Sequence, residues 1–308
     1  AILLNEAKET LAGHLGVRPD QVEFLSSPST GFHMGIAGLA VPGSTLYYPA
    51  TARSEVFAVA DHLTGERLSV NLEGQVLWPR GEADDLLCWQ SGNGETGIIS
   101  TPPTDFLGRV FVDATATASL VPLPSRWSGA LWDSRSWQGP AGLGVFAISE
   151  KKLWRNPLPH LDQKISSSDF SLPLALASAI ALDAFSAEYE EKRRSLIELN
   201  EGIRAFLLTE IGEVDIAGST ATTLPHLLSF SFLYLDAAIL INELDRRGFS
   251  VDSGSACNAT NMEPSHVLAA MGLLTQGNIR LTLHLQMDRP SVESFLTTLK
   301  DLVTELRS

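Results

Sequence analysis

In the run RRGFSVDSGSACNATNMEPSHVLAAMGLLTQGNIRLTL, residues 246–283, two groups able to do chemistry stand either side of a helical stretch. A strand leads into a Ser/Gly loop that carries Cys257. A helix opens at Pro264, and the strand after it carries Arg280. In NIRLTLH, strand alternation puts Ile279, Leu281 and Leu283 on one face and Arg280, Thr282 and His284 on the other. A guanidinium on a polar strand face either takes a carboxylate in bidentate fashion or pairs with an acid of the chain. Cys257 is either an inert loop residue or a reactive thiol, and the second role needs a lowered pKa. The other cysteine, Cys88, lies in the apolar run LLCW and belongs to a core.

Two further stretches shape backbone rather than supply reactive groups. SSPST, residues 26–30, is a turn before a helical run and has the composition of a helix cap. DSRSWQGPAGLG, residues 133–144, lies between the apolar segments GALW and VFAI. Its glycines and proline describe a tight path beside a ligand, yet it holds no obvious nucleophile or base. The seven histidines show no H-x-x-x-H or H-x-H spacing, so no metal site is indicated.

The elements that must position these residues fall into two groups. Residues 4–15 form an amphipathic helix ended by Gly16. VEFL, TLYY, LLCW and VFV are short apolar runs bounded by polar turns, and helices are expected at GFHMGIAGLA and ARSEVFAVADHL. Buried parallel strands have this pattern, and strands alternating with helices give an α/β fold with a mainly parallel sheet. Such sheets bind ligands beyond the carboxyl ends of their strands. A long helix comes next, capped by Ser168 or Asp169, with Pro173 in its first turn, and reaches about residue 210. After it, EVDIAG, LLSFSF, a helix at 237–247, FSVDSG, a helix after Pro264, NIRLTL and a last helix from Ser291 make a smaller α+β domain. The expected division is 1–168, 169–210 and 211–308.

The chain has 308 residues, 44% hydrophobic and 19% charged, with a net charge of −14. This is a globular balance, and its acidic surface disfavours nucleic acid and anionic membranes as partners. No apolar run approaches the ~18 residues of a membrane span. Two cysteines make no disulfide framework, which points to a reducing, cytoplasmic setting.

The segment S-G-S-A-C, then E-P-S-H-V-L-A-A-M-G-L and G-N-I-R, resembles the C-terminal domain of cysteine desulfurases, the NifS-like branch of class V aminotransferases. LPHLLSFSF and GPAGLGVFAI fit in order, so the resemblance covers nearly the whole chain. It implies a PLP fold type I architecture, a homodimer, and several tens of residues before Ala1. It also implies pyridoxal phosphate (PLP) in the large domain, a persulfide on Cys257 and a substrate carboxylate on Arg280.

The resemblance also marks departures. Aligned on Gly139 and Pro140, the Schiff-base lysine position is Ser136, and a hydroxyl cannot form an imine. The phosphate cup is SSPST: Ser27, Ser29 and Thr30 retain hydroxyls, but Pro28 removes an N–H. Arg53 stands near the ring-stacking histidine, Gly94 replaces an asparagine although Glu95 remains, and Ala116 replaces a glutamine. Asp169 stands near a threonine that reaches a neighbour's phosphate. Asp113, the pyridine-nitrogen partner by resemblance, is kept; on its own residues it is equally a turn or cap residue. The resemblance therefore points to a pseudoenzyme with an interaction or regulatory role, whose partners would include an active desulfurase paralogue or a sulfur acceptor. A working enzyme with non-covalent cofactor and a persulfide carrier acting through Cys257 are the alternatives.

Overall fold

The computed structural model describes residues 2–158, 170–254 and 264–308. The chain divides into two compact units, one of residues 1–69, 76–92 and 100–188, the other of 70–75, 93–99 and 189–308.

The first unit opens with helix α1 (Ile2–Leu15), which stops at Gly16 with φ +71°. Strand β1 (Val22–Leu25), helix α2 (Pro28–Leu39), strand β2 (Thr45–Pro49), helix α3 (Ser54–Ala60) and strand β3 (Thr64–Leu68) come next. Strands β4 (Leu86–Gln90), β5 (Arg109–Asp113), β6 (Gly129–Asp133) and β7 (Gly144–Ile148) complete a sheet of order β1-β7-β6-β5-β4-β2-β3. Neighbours from β3 through to β6 run parallel, and only β7 is reversed. β4, β6 and β7 are buried along their whole length, which explains their unbroken apolar character. Phe32, Leu39, Leu46, Phe111, Leu131 and Phe146 form the core beneath α2 and α3, and Cys88 lies among them at 1% exposure.

Two crossovers of the parallel sheet carry no helix. Connections 91–108 and 114–128 join parallel neighbours without a helix, although each is long enough for a crossover. The edge strand β3, TGERL, carries no hydrophobic pattern because it is exposed and pairs only with β2.

Helix α4 (Leu172–Phe206) runs on through a π turn at Leu207–Ile211, and the division between units falls inside it. Pro173 is its second residue; the capping candidates Ser168 and Asp169 lie outside the described residues. Contrary to the sequence reading, Leu172–Ile211 is long and apolar enough by composition to cross a membrane. Within it Ala175, Ala179, Leu182 and Phe185 are buried, whereas Leu172 and Ile180 are exposed. Ser178 takes a hydrogen bond from Ser134 Oγ (2.8 Å), and its carbonyl takes one from the Trp137 indole (3.1 Å).

The second unit adds β8 (Val214–Ile216), β9 (Leu227–Phe232), α5 (Ala237–Arg246), α6 (His266–Met271), β10 (Asn278–Thr282) and α7 (Arg289–Arg307). Its antiparallel sheet has the order β10-β9-β8. FSVDSG, expected as a strand, makes only a single bridge, between Asp252 and Arg280.

Candidate ligand site at the carboxyl edge of the sheet

Because β1, β2, β4, β5 and β6 share one direction, their carboxyl ends and the turns after them all lie along one edge of the sheet. Ser27, Arg53, Gln90, Asp113 and Ser136 stand there, at or just after the ends of those five strands. Reversed β7 starts at the same edge: a Cβ on Gly144 would lie 3.0 Å from the Ser27 carbonyl oxygen, so glycine permits this approach.

Asp113 is the last residue of β5 and is 2% exposed. Its Oδ1 accepts the Thr115 N–H at 3.0 Å and the Thr115 hydroxyl at 2.6 Å, while Gln90 Nε2 lies 3.5 Å from Oδ2. Arg53 Nη1 reaches Thr115 Oγ1 at 3.5 Å, and its guanidinium lies 5.7 Å from the Phe32 ring centroid. Burial pushes the Asp113 carboxyl up; the charge of Arg53 and the hydrogen bonds from Thr115 and Gln90 pull it back, but not fully. The pKa thus stands above that of an ordinary aspartate. Between the unfolded value and the raised one, the folded chain holds this proton more tightly. The group's contribution therefore falls as pH rises through that window and is flat above it. Asp113→Asn does not titrate there. The difference in urea-unfolding free energy should move in favour of wild type as pH falls through the window, and a flat or opposite trend contradicts the raised pKa.

The first turn of α2 is capped from within. Ser27 Oγ accepts the Thr30 N–H at 3.1 Å and lies 3.0 Å from Thr30 Oγ1, and Pro28 occupies the first helical position. Ser29 donates its hydroxyl to Glu55 Oε1 at 2.8 Å. Glu55 lies in the first turn of α3, with Arg53 Nε 3.5 Å from its other oxygen. Half-burial pushes the Glu55 carboxyl up, but the Arg53 charge and hydrogen bonds from the backbone and Ser29 outweigh it and leave the pKa lowered.

Ser136 lies in a 3-10 turn (Ser134–Trp137) directly after β6, and its hydroxyl is donated to the Asp133 carbonyl at 2.7 Å. The Asp133 side chain caps this turn through the Arg135 N–H and pairs with the Arg135 guanidinium at 2.7 Å.

In the second unit Arg280 sits on β10 and pairs with the Asp252 carboxylate; the same two residues exchange backbone hydrogen bonds of 2.7 and 3.2 Å. Glu95 accepts the Ser265 hydroxyl at 2.5 Å. Burial drives the Glu95 carboxyl up more than Ser265, Arg280 and His266 draw it down, so its pKa is raised. Cys257 and Asp169 lie outside the described residues. The structure gathers Ser27, Ser29, Thr30, Arg53, Asp113 and Ser136 on one edge of the first unit, whereas Arg280 belongs to the second. Glu55, Thr115, Gln90 and Asp252 went unmarked in the sequence because each acts through a partner distant in the chain or an ordinary turn. A carboxylate two residues after Arg53 was the one available sign of Glu55.

No protein-family model matches the chain. A cysteine desulfurase IscS of Dictyoglomus turgidum is 26% identical over 343 aligned positions, covering 99% of this chain and 84% of that relative. A cysteine desulfurase of Nostoc sp. is 25% identical, covering 98% of this chain and 82% of the relative. Among solved structures, a NifS-like protein superposes with a TM-score of 0.85 at 22% identity, covering 99% of this chain and 88% of that one. The apo cysteine desulfurase of Thermococcus onnurineus NA1 gives a TM-score of 0.82 at 17% identity, covering 99% of this chain and 84% of its own. Along its length the chain is thus similar to cysteine desulfurases, and it has the PLP fold type I architecture of NifS-like proteins.

Proposed function

We propose that this chain keeps the desulfurase fold but not covalent PLP catalysis. It acts as a cytoplasmic homodimer through contacts with proteins of sulfur metabolism. The observation that carries the reading is Ser136. At the turn after β6 its hydroxyl is spent on the carbonyl of Asp133, and it offers no amine to an aldehyde. The described lysines support it. Lys8 is in α1 and pairs with Glu23, Lys151 and Lys152 come after the far end of β7, Lys192 is in α4 and Lys300 in α7. None of them comes directly after a strand at the candidate edge; Lys164 lies outside the described residues.

The other residues at this edge do not fit PLP either. Pro28 supplies no N–H, Thr30 N–H is taken by Ser27, and the Ser29 hydroxyl is taken by Glu55. Only Asp113 suits a pyridine nitrogen, and the nearby charge of Arg53 offsets only part of its burial. Loss of the lysine as general acid–base costs ~10²–10⁴ in rate. PLP added to purified protein is expected to give no aldimine absorption band, and cysteine no sulfide. A band with turnover overturns the reading.

A working enzyme holding its cofactor non-covalently is the second reading. Its support is the buried Asp113 with its raised pKa at a strand end. Sulfide release without an aldimine band would select it.

A further inference from the structure

We propose that Glu55 is an internal anion that occupies the Ser29 hydroxyl in the first turn of α2, so that the chain closes this edge to phosphate-bearing ligands with one of its own carboxylates. The inference deepens the reading of a lost cofactor and rests on it for its biological sense, but its test does not.

The amino end of a helix attracts negative charge through its free N–H groups and its dipole. Helix α2 runs from Pro28 to Leu39, long enough for that effect. The anion beside its first turn is supplied by the first turn of the next helix: Glu55 takes the Ser29 hydroxyl at 2.8 Å. Arg53 Nε stands 3.5 Å from the other Glu55 oxygen, and the Glu55 side chain is 19% exposed. Arg53 in turn reaches Thr115, which bonds to Asp113. The series Ser29, Glu55, Arg53, Thr115, Asp113 therefore runs from α2 to the end of β5, with one guanidinium between two carboxylates. An incoming phosphate would meet a carboxylate already bonded to the hydroxyl it needs and would have to compete for the only cation in the series. Like charges at such separations repel strongly in a half-buried setting.

Inorganic phosphate is the probe, because it cannot form an imine and so reports on this site whatever the fate of PLP. Binding is measured calorimetrically at neutral pH and low salt for wild type, Glu55→Gln and Glu55→Ala. Glu66→Gln on exposed β3 controls for the loss of one negative charge. The two Glu55 variants are expected to bind phosphate at least ~10-fold more tightly than wild type, and Glu66→Gln to match wild type. Folded Glu55 variants that bind no better, or a Glu66 variant that gains as much, overturn the proposal. A second measurement uses wild type alone. Millimolar phosphate should raise its thermal midpoint no more than chloride of equal ionic strength, and a larger rise also overturns the proposal. An aldimine band in wild type with an unchanged phosphate result would sink the cofactor reading and leave this one standing.

Discussion

Replacing Gly35 with leucine is expected to destabilise the first unit by ~4 kcal/mol or more, among the largest effects a single substitution produces. Gly31, Gly35 and Gly38 lie along one face of α2, at the four- and three-residue spacings that align on a helix. An added Cβ would lie 2.3 Å from a methyl of Leu131 at Gly31, 2.4 Å from the Phe111 ring at Gly35 and 2.1 Å from the Trp154 indole nitrogen at Gly38. The same indole donates to the Met34 carbonyl at 2.9 Å. At Gly35 the next ring, Phe146, is 3.1 Å away, so a larger side chain has no free direction into the core. Alanine gains ~1 kcal/mol of helix propensity over glycine. Overpacking costs ~1–3 kcal/mol, so Gly35→Ala should also lose stability on balance. Gly13 in α1 is the comparison, because its added Cβ meets nothing within 4 Å. There alanine should be neutral or stabilising. Urea titrations of the three variants check the set, and Gly35→Leu unfolding within ~1 kcal/mol of wild type would refute this closeness of α2 to the sheet.

Arg204→Met is expected to cost the second unit ~3–5 kcal/mol. Arg204 is 9% exposed, and burial draws its pKa down to about 10, so it remains charged at neutral pH. It donates to Asn200 Oδ1 at 2.8 Å, the Gly218 carbonyl at 2.8 Å and the Ala217 carbonyl at 3.2 Å. Asn200 passes the connection on to the carbonyls of Pro225 and Leu227. Arg204 and Asn200 together thus tie α4 to the chain on either side of residues 219–224. Methionine preserves much of the volume but leaves three acceptors without their donor. Lysine keeps the charge but lacks the planar fork, so it should recover only part of the loss. Hydrogen exchange of β8 and β9 amides, read beside the denaturation midpoint, locates the effect; unchanged protection in Arg204→Met would contradict it.

Pattern and caps account for most of the fold that was legible in the sequence. β1 matches VEFL because an apolar run bounded by polar turns has few alternatives, and α2 begins inside SSPST, at Pro28, because Ser27 caps it as serine does. The assembly of Ser27, Arg53, Asp113 and Ser136 at one edge was also foreseeable, since each comes just after a predicted strand and parallel strands end together. Arg280 admitted an internal acid as partner, and the structure supplies Asp252. Other features left no local trace. The glycines of GFHMGIAGLA gave no warning of how closely α2 lies on the sheet, because their neighbours Phe111, Leu131 and Trp154 come far later in the chain. β3 was invisible because an exposed edge strand need not alternate. FSVDSG had strand-like composition but only one bridging partner. Glu55 looked like any helix-surface acid until Ser29, 26 positions earlier, was seen donating to it.

The short segments 70–75 and 93–99 give the second unit a debt to earlier parts of the chain. Ile98 packs with Val267 and Met271, joined by Val70 and Leu273. Gly97 O accepts the Leu224 N–H, and Thr222 O accepts that of Ile99, both at 2.8 Å. A gene fragment beginning at Tyr189 would therefore encode a torso with its lining left behind. Chimeras that exchange the C-terminal portions of two relatives should carry these two inserts along with it.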